Sequence, residues 1–199
     1  MIRLFHARPA GRPLLALLCA CFVAGAGFVV TPALAKKSRA PAAEKPEAAK
    51  PLPGAPVLLD SFGDWGAYTA QSGKAKTCYA LGKPKERAPA GLKRDPGYVF
   101  ISNRPGESVK NEVSIVMGFE VKPESAPKAE IGPTSFEMVA KGANLWLKNA
   151  AQETQFVEAL RKGQRLVVKA VSKKGNPTTD SYTLPGILPA LDRIGKACV

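Results

Sequence analysis

Asn103-Arg104-Pro105-Gly106-Glu107, followed by Lys110, is the stretch whose residue types best suit binding chemistry. A Pro-Gly turn presents its neighbours outward, and a guanidinium fork beside an ammonium matches a carboxylate or a phosphate. Asn103, Arg104, Glu107 and Lys110 are therefore the candidate binding residues. A structural reading competes and is favoured: the loop is a crossover in which Arg104 pairs with Glu107 or a neighbouring acid. Carboxylates offer the other route to chemistry. Asp60 with Asp64, and Glu107 with Glu112, are acid pairs close in sequence. A glycosidase needs two such acids facing one cleft at roughly 5–10 Å. Neither pair is distinctive, and solvated surface groups are the plainer reading.

Other catalytic chemistry is poorly supplied. The sole histidine is His6, inside a segment expected to be removed. Without it the mature chain has no Ser–His–Asp or Cys–His arrangement and no histidine-containing zinc site. The chain also has no GxGxxG, P-loop, CxxC or HExxH spacing. The expectation is no enzyme, no catalytic residues, no metal and no cofactor. Trp65 and Trp146 read as core or half-buried packing rather than a ligand platform.

Arg3, Arg8 and Arg12 form a basic n-region, Leu14 to Val30 is an apolar run, and Ala33-Leu34-Ala35 supplies a small–x–small cleavage site. Residues 1–35 therefore read as a signal peptide cut before Lys36. A retained anchor is the competing reading, but about seventeen Gly-rich residues sit at the short limit for spanning. A lipoprotein reading through Leu18-Cys19-Ala20-Cys21 needs cleavage after only seven apolar residues. The expectation is an exported protein, periplasmic, outer-membrane associated or secreted, with no transmembrane segment after cleavage.

Export changes the charge and the cysteine count. The chain carries 29 Lys+Arg and 16 Asp+Glu, a net +13. Three arginines leave with residues 1–35 and every acid stays, so the mature chain is +10. Residues 36–56 hold five basic and two acidic groups, which leaves +7 for residues 57–199. Such a chain meets anionic envelope or host-cell surfaces, with charge speeding the encounter; export argues against nucleic acid. A solvated basic surface with no specific ligand is the plain alternative. Cys19 and Cys21 also leave, so Cys78 and Cys198 remain to form one bridge in an oxidising compartment. Free thiols or an intermolecular bond are the competing states. The bridge would close a loop of about 120 residues, which is roughly 4–5 kcal/mol in the chain-entropy treatment.

Residues 36–56, almost entirely Lys, Ala, Pro and Glu, form a disordered linker that cannot bury a core. Residues 57–199 suit one domain. Strands are expected at Trp65–Ala70, Lys76–Leu81, Tyr98–Ser102, Glu112–Phe119, Ser135–Ala140, Leu145–Lys148, Arg165–Ser172 and Thr179–Leu184. The central pair is Tyr98–Ser102, apolar on both faces as in a strand covered on both sides, and Glu112–Phe119, with Val113, Ile115, Met117 and Phe119 on one face. Lys141-Gly142-Ala143-Asn144 and Lys173-Lys174-Gly175-Asn176-Pro177 read as hairpin turns, the second a solvated tip that blunts a sheet edge. Ala150–Lys162 reads as a helix stopped by Gly163, and Leu188–Ala197 as a closing helix with Leu188, Leu191 and Ile194 on one side. The fold class is mainly β: a single sandwich or barrel-like domain of about eight strands with one or two short helices.

The chain resembles the invasion-associated locus B family of exported proteins of Gram-negative bacteria. The likeness rests on Gly63-Asp64-Trp65, Cys78-Tyr79, FISNRPGESVKNEVSIVMGF at 100–119, Ile131-Gly132, WLKNAAQE at 146–153 and the LDRIGKAC ending at Cys198. It covers residues 62–198. The resemblance implies a periplasmic or surface-exposed, mainly β domain, with a role in host-cell association or stress response in some members, and it brings no catalytic residues. The leading expectation is an exported non-enzymatic envelope or surface protein. A glycan-acting hydrolase using carboxylates and a purely structural envelope protein are the alternatives.

Overall fold

Alternation of apolar and polar residues at period two, punctuated by Gly, Asn and Pro, yields eleven strands, all paired antiparallel. The computed structural model describes residues 54–199. The expected signal peptide, and all but the last three residues of the expected linker, lie outside the described residues. The strands are β1 (Val57–Phe62), β2 (Trp65–Ser72), β3 (Ala75–Gly82), β4 (Glu86–Ala88), β5 (Tyr98–Arg104), β6 (Val109–Val116), β7 (Lys128–Ile131), β8 (Thr134–Lys141), β9 (Asn144–Leu147), β10 (Arg165–Val171) and β11 (Pro177–Thr183). Two helices follow β9 and β11: α1 (Glu153–Lys162) and α2 (Ile187–Ala197). The strands make one open sheet in the order β1-β2-β3-β5-β6-β9-β8-β7-β10-β11-β4.

All eight expected strands are present, and β1, β4 and β7 are additional. β1 carries Leu58 exposed at an edge, β4 has three residues and β7 four, so none offers a long alternating run to read. Inward residues from every long strand share one core. Trp65, Cys78, Ile101, Ile115, Phe136, Leu145, Leu166 and Tyr182 belong to it. A fully buried Leu, Ile or Phe contributes about 1.5–3 kcal/mol, so this shared face is what holds so many short strands together.

The central pair departs from expectation in three ways. Val113, Ile115 and Met117 have no exposed surface, but β6 stops at Val116. Gly118 takes φ +68° there, packed so closely on Asp95 and Pro96 that a Cβ would collide with the Asp95 carbonyl. A straight strand through Phe119 is therefore sterically blocked. The loop is also shorter than expected, because β5 runs to Arg104 and β6 starts at Val109 around a single 3-10 turn at Pro105–Glu107. Finally, the outward Tyr98 and Phe100 are half-buried among rings rather than sealed like Val99 and Ile101. Tyr68, Tyr79, Phe100 and Tyr98 form a row with centroid spacings of 5.3, 5.6 and 6.0 Å. Such cross-strand rings stabilise the sheet from its outer side.

The helices cover the core. On α1, Phe156, Val157 and Leu160 are buried, with the Phe156 ring 4.9 Å from that of Phe136. Asn149 Oδ1 accepts from Ala151 N just before it, and Arg161 and Lys162 sit at its negative end. On α2 the buried face is Ile187, Ala190, Leu191 and Ile194, spaced i, i+3, i+4, i+7. Leu188, expected on that face, is 46% exposed. The helix starts one residue earlier than expected, after Gly186 at φ +98°, and its stripe is built on Ile187, from which Leu188 points about 100° away. Cys198 at the end of α2 is bonded to Cys78 on β3, with S–S 2.08 Å and Cα–Cα 5.9 Å. Beside the bridge, Lys76 Nζ donates to the Ala197 carbonyl.

Candidate functional site

The residues singled out in the sequence fall at one end of β5 and β6. Arg104 Nε lies 2.8 Å from Glu107, and its two terminal nitrogens lie 2.7 and 3.0 Å from the two oxygens of Glu112. Every face of the guanidinium fork is thus engaged within the chain. These contacts raise the Arg104 pKa and hold the Glu112 carboxyl below its ordinary value. The competing structural reading of this loop therefore describes Arg104 and Glu107. Asn103 is buried, and its Oδ1 accepts from Asn111 N at 2.9 Å, tying the turn in which Ser108 and Asn111 take positive φ. Lys110 is exposed, takes no part in the Arg104 ion pairs, and lines a groove together with Asn103. The groove is open, about 560 Å³, and shared with Glu158 and Arg161 of α1 and Asp192 and Lys196 of α2. Cations and anions are mixed there, so the groove has no preferred charge of ligand.

The acid pairs sort differently. Asp60 bonds Arg193 of α2 at 2.5 Å, whereas Asp64 accepts from Thr183 Oγ1 at 2.6 Å and faces Lys85 at 3.6 Å. Each has its own partner. Glu107 and Glu112 do meet, through the one guanidinium between them. A carboxyl held low by arginine suits a counter-ion better than a general acid, whose pKa must be raised.

A second site was not legible in the sequence. Arg87 on β4 and Arg94 in the following loop converge on Asp180 of β11, at 3.0 and 3.1 Å. The Asp180 side chain has no exposed surface and that of Arg94 is 6% exposed. Arg87 also donates to the carbonyls of Asp95 and Met117, at 2.8 and 2.6 Å, and Arg94 to that of Pro89. Burial pushes the Asp180 carboxyl above its ordinary value, against the pull of both guanidiniums. Neighbouring Tyr182 is pushed up more strongly, chiefly by burial and then by Asp180, and its hydroxyl has no hydrogen-bond partner among the described residues. Two cations, Arg87 20% exposed and Arg94 6%, share the one buried carboxylate, leaving a partly buried excess of one positive charge.

Arg94 forms part of the wall of a cleft of about 270 Å³. Leu92 and Lys93 come from the same loop, Phe119 and Glu120 from the segment after β6, and Lys173 and Lys174 from the β10–β11 turn. That turn was expected to blunt a sheet edge, but the edges are β1 and β4 and β11 is covered by β4. Its position is set instead by the Val121–Ser172 bridge and by Lys173 N donating to the Glu120 carbonyl. Lys173 Nζ faces the Glu120 carboxylate at 3.5 Å, while Lys93 and Lys174 have no ion-pair partner among the described residues. The sequence signal that existed was Asp180, which the period-two pattern Thr178, Asp180, Tyr182 puts on the core face. A carboxylate there demands a buried cation.

Among the described residues no group of three His, Cys, Asp or Glu is placed to hold a metal, and no helix is long and apolar enough to cross a membrane. No protein-family model matches the chain, and no curated protein and no solved structure matches it.

Proposed function

We propose that the protein is an exported, non-enzymatic envelope or surface protein of the kind the invasion-associated locus B resemblance implies, periplasmic, outer-membrane associated or secreted. In this reading it meets anionic envelope or host-cell components through its basic surface, in host-cell association or a stress response. One observation carries it: Lys93, Arg94, Lys173 and Lys174 gather around a single cleft that has only Glu120 as an acid on its lining. Clustered like charges in a concavity raise the local anion concentration and the encounter rate.

The sheet serves this reading as a barrel-like wall. Trp65 Nε1 donates to the Thr183 carbonyl at 2.8 Å, tying the start of β2 to the end of β11, and Lys85 N donates to that of Ser181 at 2.7 Å, continuing the β4–β11 pairing. The 117–122 segment spans from the β8–β9 turn to β10 through Val121 N to Gly142 O and Lys122 N to Val171 O. The basic cleft is held at this junction.

Cosedimentation with lipopolysaccharide and with phosphatidylglycerol vesicles at rising salt tests the reading. Binding that falls steeply with salt, and falls further in K93E/K174E, supports it. Absence of binding to every anionic surface overturns it. Fractionation into periplasm, outer membrane and medium then gives the compartment.

A further inference from the structure

The same cleft has a feature that a purely ionic partner leaves unused: the apolar side chains of Leu92 and Phe119 sit among its cations. At about 270 Å³ it lies just under the roughly 300 Å³ at which small-molecule sites begin, so it accommodates one short chain rather than a whole phospholipid. Behind it stands the partly buried positive excess of Arg87 and Arg94 over Asp180. At its rim are Lys93 and Lys174, both exposed and both outside any ion pair among the described residues. A concave site lined by several cations, two of them without an ion-pair partner among the described residues, favours a bound anion more than flat surface does.

We propose that this cleft binds a single amphipathic anion, a carboxylate carried on a short acyl chain. The chain lies against Phe119 and Leu92, and the carboxylate meets Lys93 and Lys174 in the field of Arg94. This rests on the anion-binding reading above and narrows it to a ligand class. Apolar contact supplies affinity and the cations fix orientation, the usual division in a small-molecule site.

The test is a titration of the ¹⁵N-labelled protein, purified as the cell produces it, with decanoate below its micelle concentration. Acetate tests the head group alone, and a decyl ammonium salt tests the chain with the opposite charge. The expected result is saturable amide shifts confined to residues 92–94, 119–120 and 172–178 with decanoate, and none there with the other two. F119A and, separately, K174E should each weaken decanoate binding by about ten-fold, or about 1.4 kcal/mol. K174E lies on an exposed turn, so it reports on the site even where F119A loosens the fold. Shifts scattered over the surface, equal binding of the decyl cation, or unchanged affinity in K174E would overturn the proposal. If decanoate fails while anionic vesicles still bind in a salt-dependent way, the ligand class is wrong and the surface reading stands. If both fail, both are wrong.

Discussion

Arg87 and Asp180 are direct cross-strand partners on β4 and β11, and their side chains meet at 3.0 Å around a carboxylate with no exposed surface. The three-residue strand β4 is held at the edge of the sheet by this pair as much as by its ladder. The same pair anchors the loop that carries Leu92, Lys93 and Arg94 to the cleft.

Removing that carboxylate's charge should be costly. D180N leaves two guanidiniums without their counter-ion in a buried site, and breaking such a cluster costs about 3–5 kcal/mol. D192N, which only disturbs the exposed contact to Arg161 at 3.2 Å, should cost less than about 1 kcal/mol. Urea unfolding of both variants checks this. A D180N midpoint close to wild type would show that the cluster is not what secures β4.

Arg104 and Glu112 give the acid limb of the stability profile a defined sign. Hydrogen bonds from Arg104 lower the Glu112 pKa in the folded state. Its contribution is therefore present above the unfolded glutamate value and is lost as pH falls through the folded one. Glu153, raised mainly by burial, acts with the opposite sign, favouring the fold below the ordinary range and losing that contribution as pH rises through its folded value. Comparing wild type with E112Q isolates the first effect. The difference should be about 1 kcal/mol at neutral pH and shrink toward zero as pH falls through the lowered folded value of Glu112. A pH-independent difference in unfolding free energy would contradict it.

The Cys78–Cys198 bridge joins residues 120 apart and pins α2 to the first three strands. In the chain-entropy treatment its loss costs up to about 4–5 kcal/mol. C78S/C198S, or wild type under strong reductant, should show a lowered urea midpoint, and reductant should not shift the double variant further. A reductant effect that persists without these cysteines would place the redox sensitivity elsewhere.

Two glycines with similar backbone angles should respond very differently to alanine. Gly142 has φ +62° with its nearest neighbour 3.9 Å away, so G142A carries backbone strain alone, about 1 kcal/mol. Gly118 has φ +68° and faces the Asp95 carbonyl in direct contact, so G118A adds a collision with backbone and should cost about 3 kcal/mol or more. Thermal or urea unfolding of the two variants measures the gap; similar losses would mean the 95–97 loop yields freely.

Local pattern was enough to read most of the elements. Period-two runs such as Val113, Ile115 and Met117 mark their strands and inward faces, because alternation in a strand follows from backbone geometry alone. Gly142 and Gly175, both at positive φ, mark the two hairpin turns, and Gly163 marks the end of α1. What escaped was short or rotated. β4 and β7 are too brief to show a period, and the α2 stripe is built on Ile187 rather than on Leu188.

The candidate site divides along the same line. That the Arg104 loop holds a guanidinium between nearby acids is a local fact, since Glu107 and Glu112 lie three and eight residues away. The sequence by itself could therefore favour the ion-paired reading. The cleft is the opposite case: Leu92, Phe119 and Lys174 come from three separated segments, and Arg87 and Asp180 are 93 residues apart. Only the pairing of β4 with β11 and the Val121–Ser172 bridge bring them together, because which strands become neighbours depends on the whole core closing at once. The sequence determined the β class and the inward faces of the longer strands, because alternation follows from backbone geometry. Tertiary structure alone decided where the uncompensated positive charge collects.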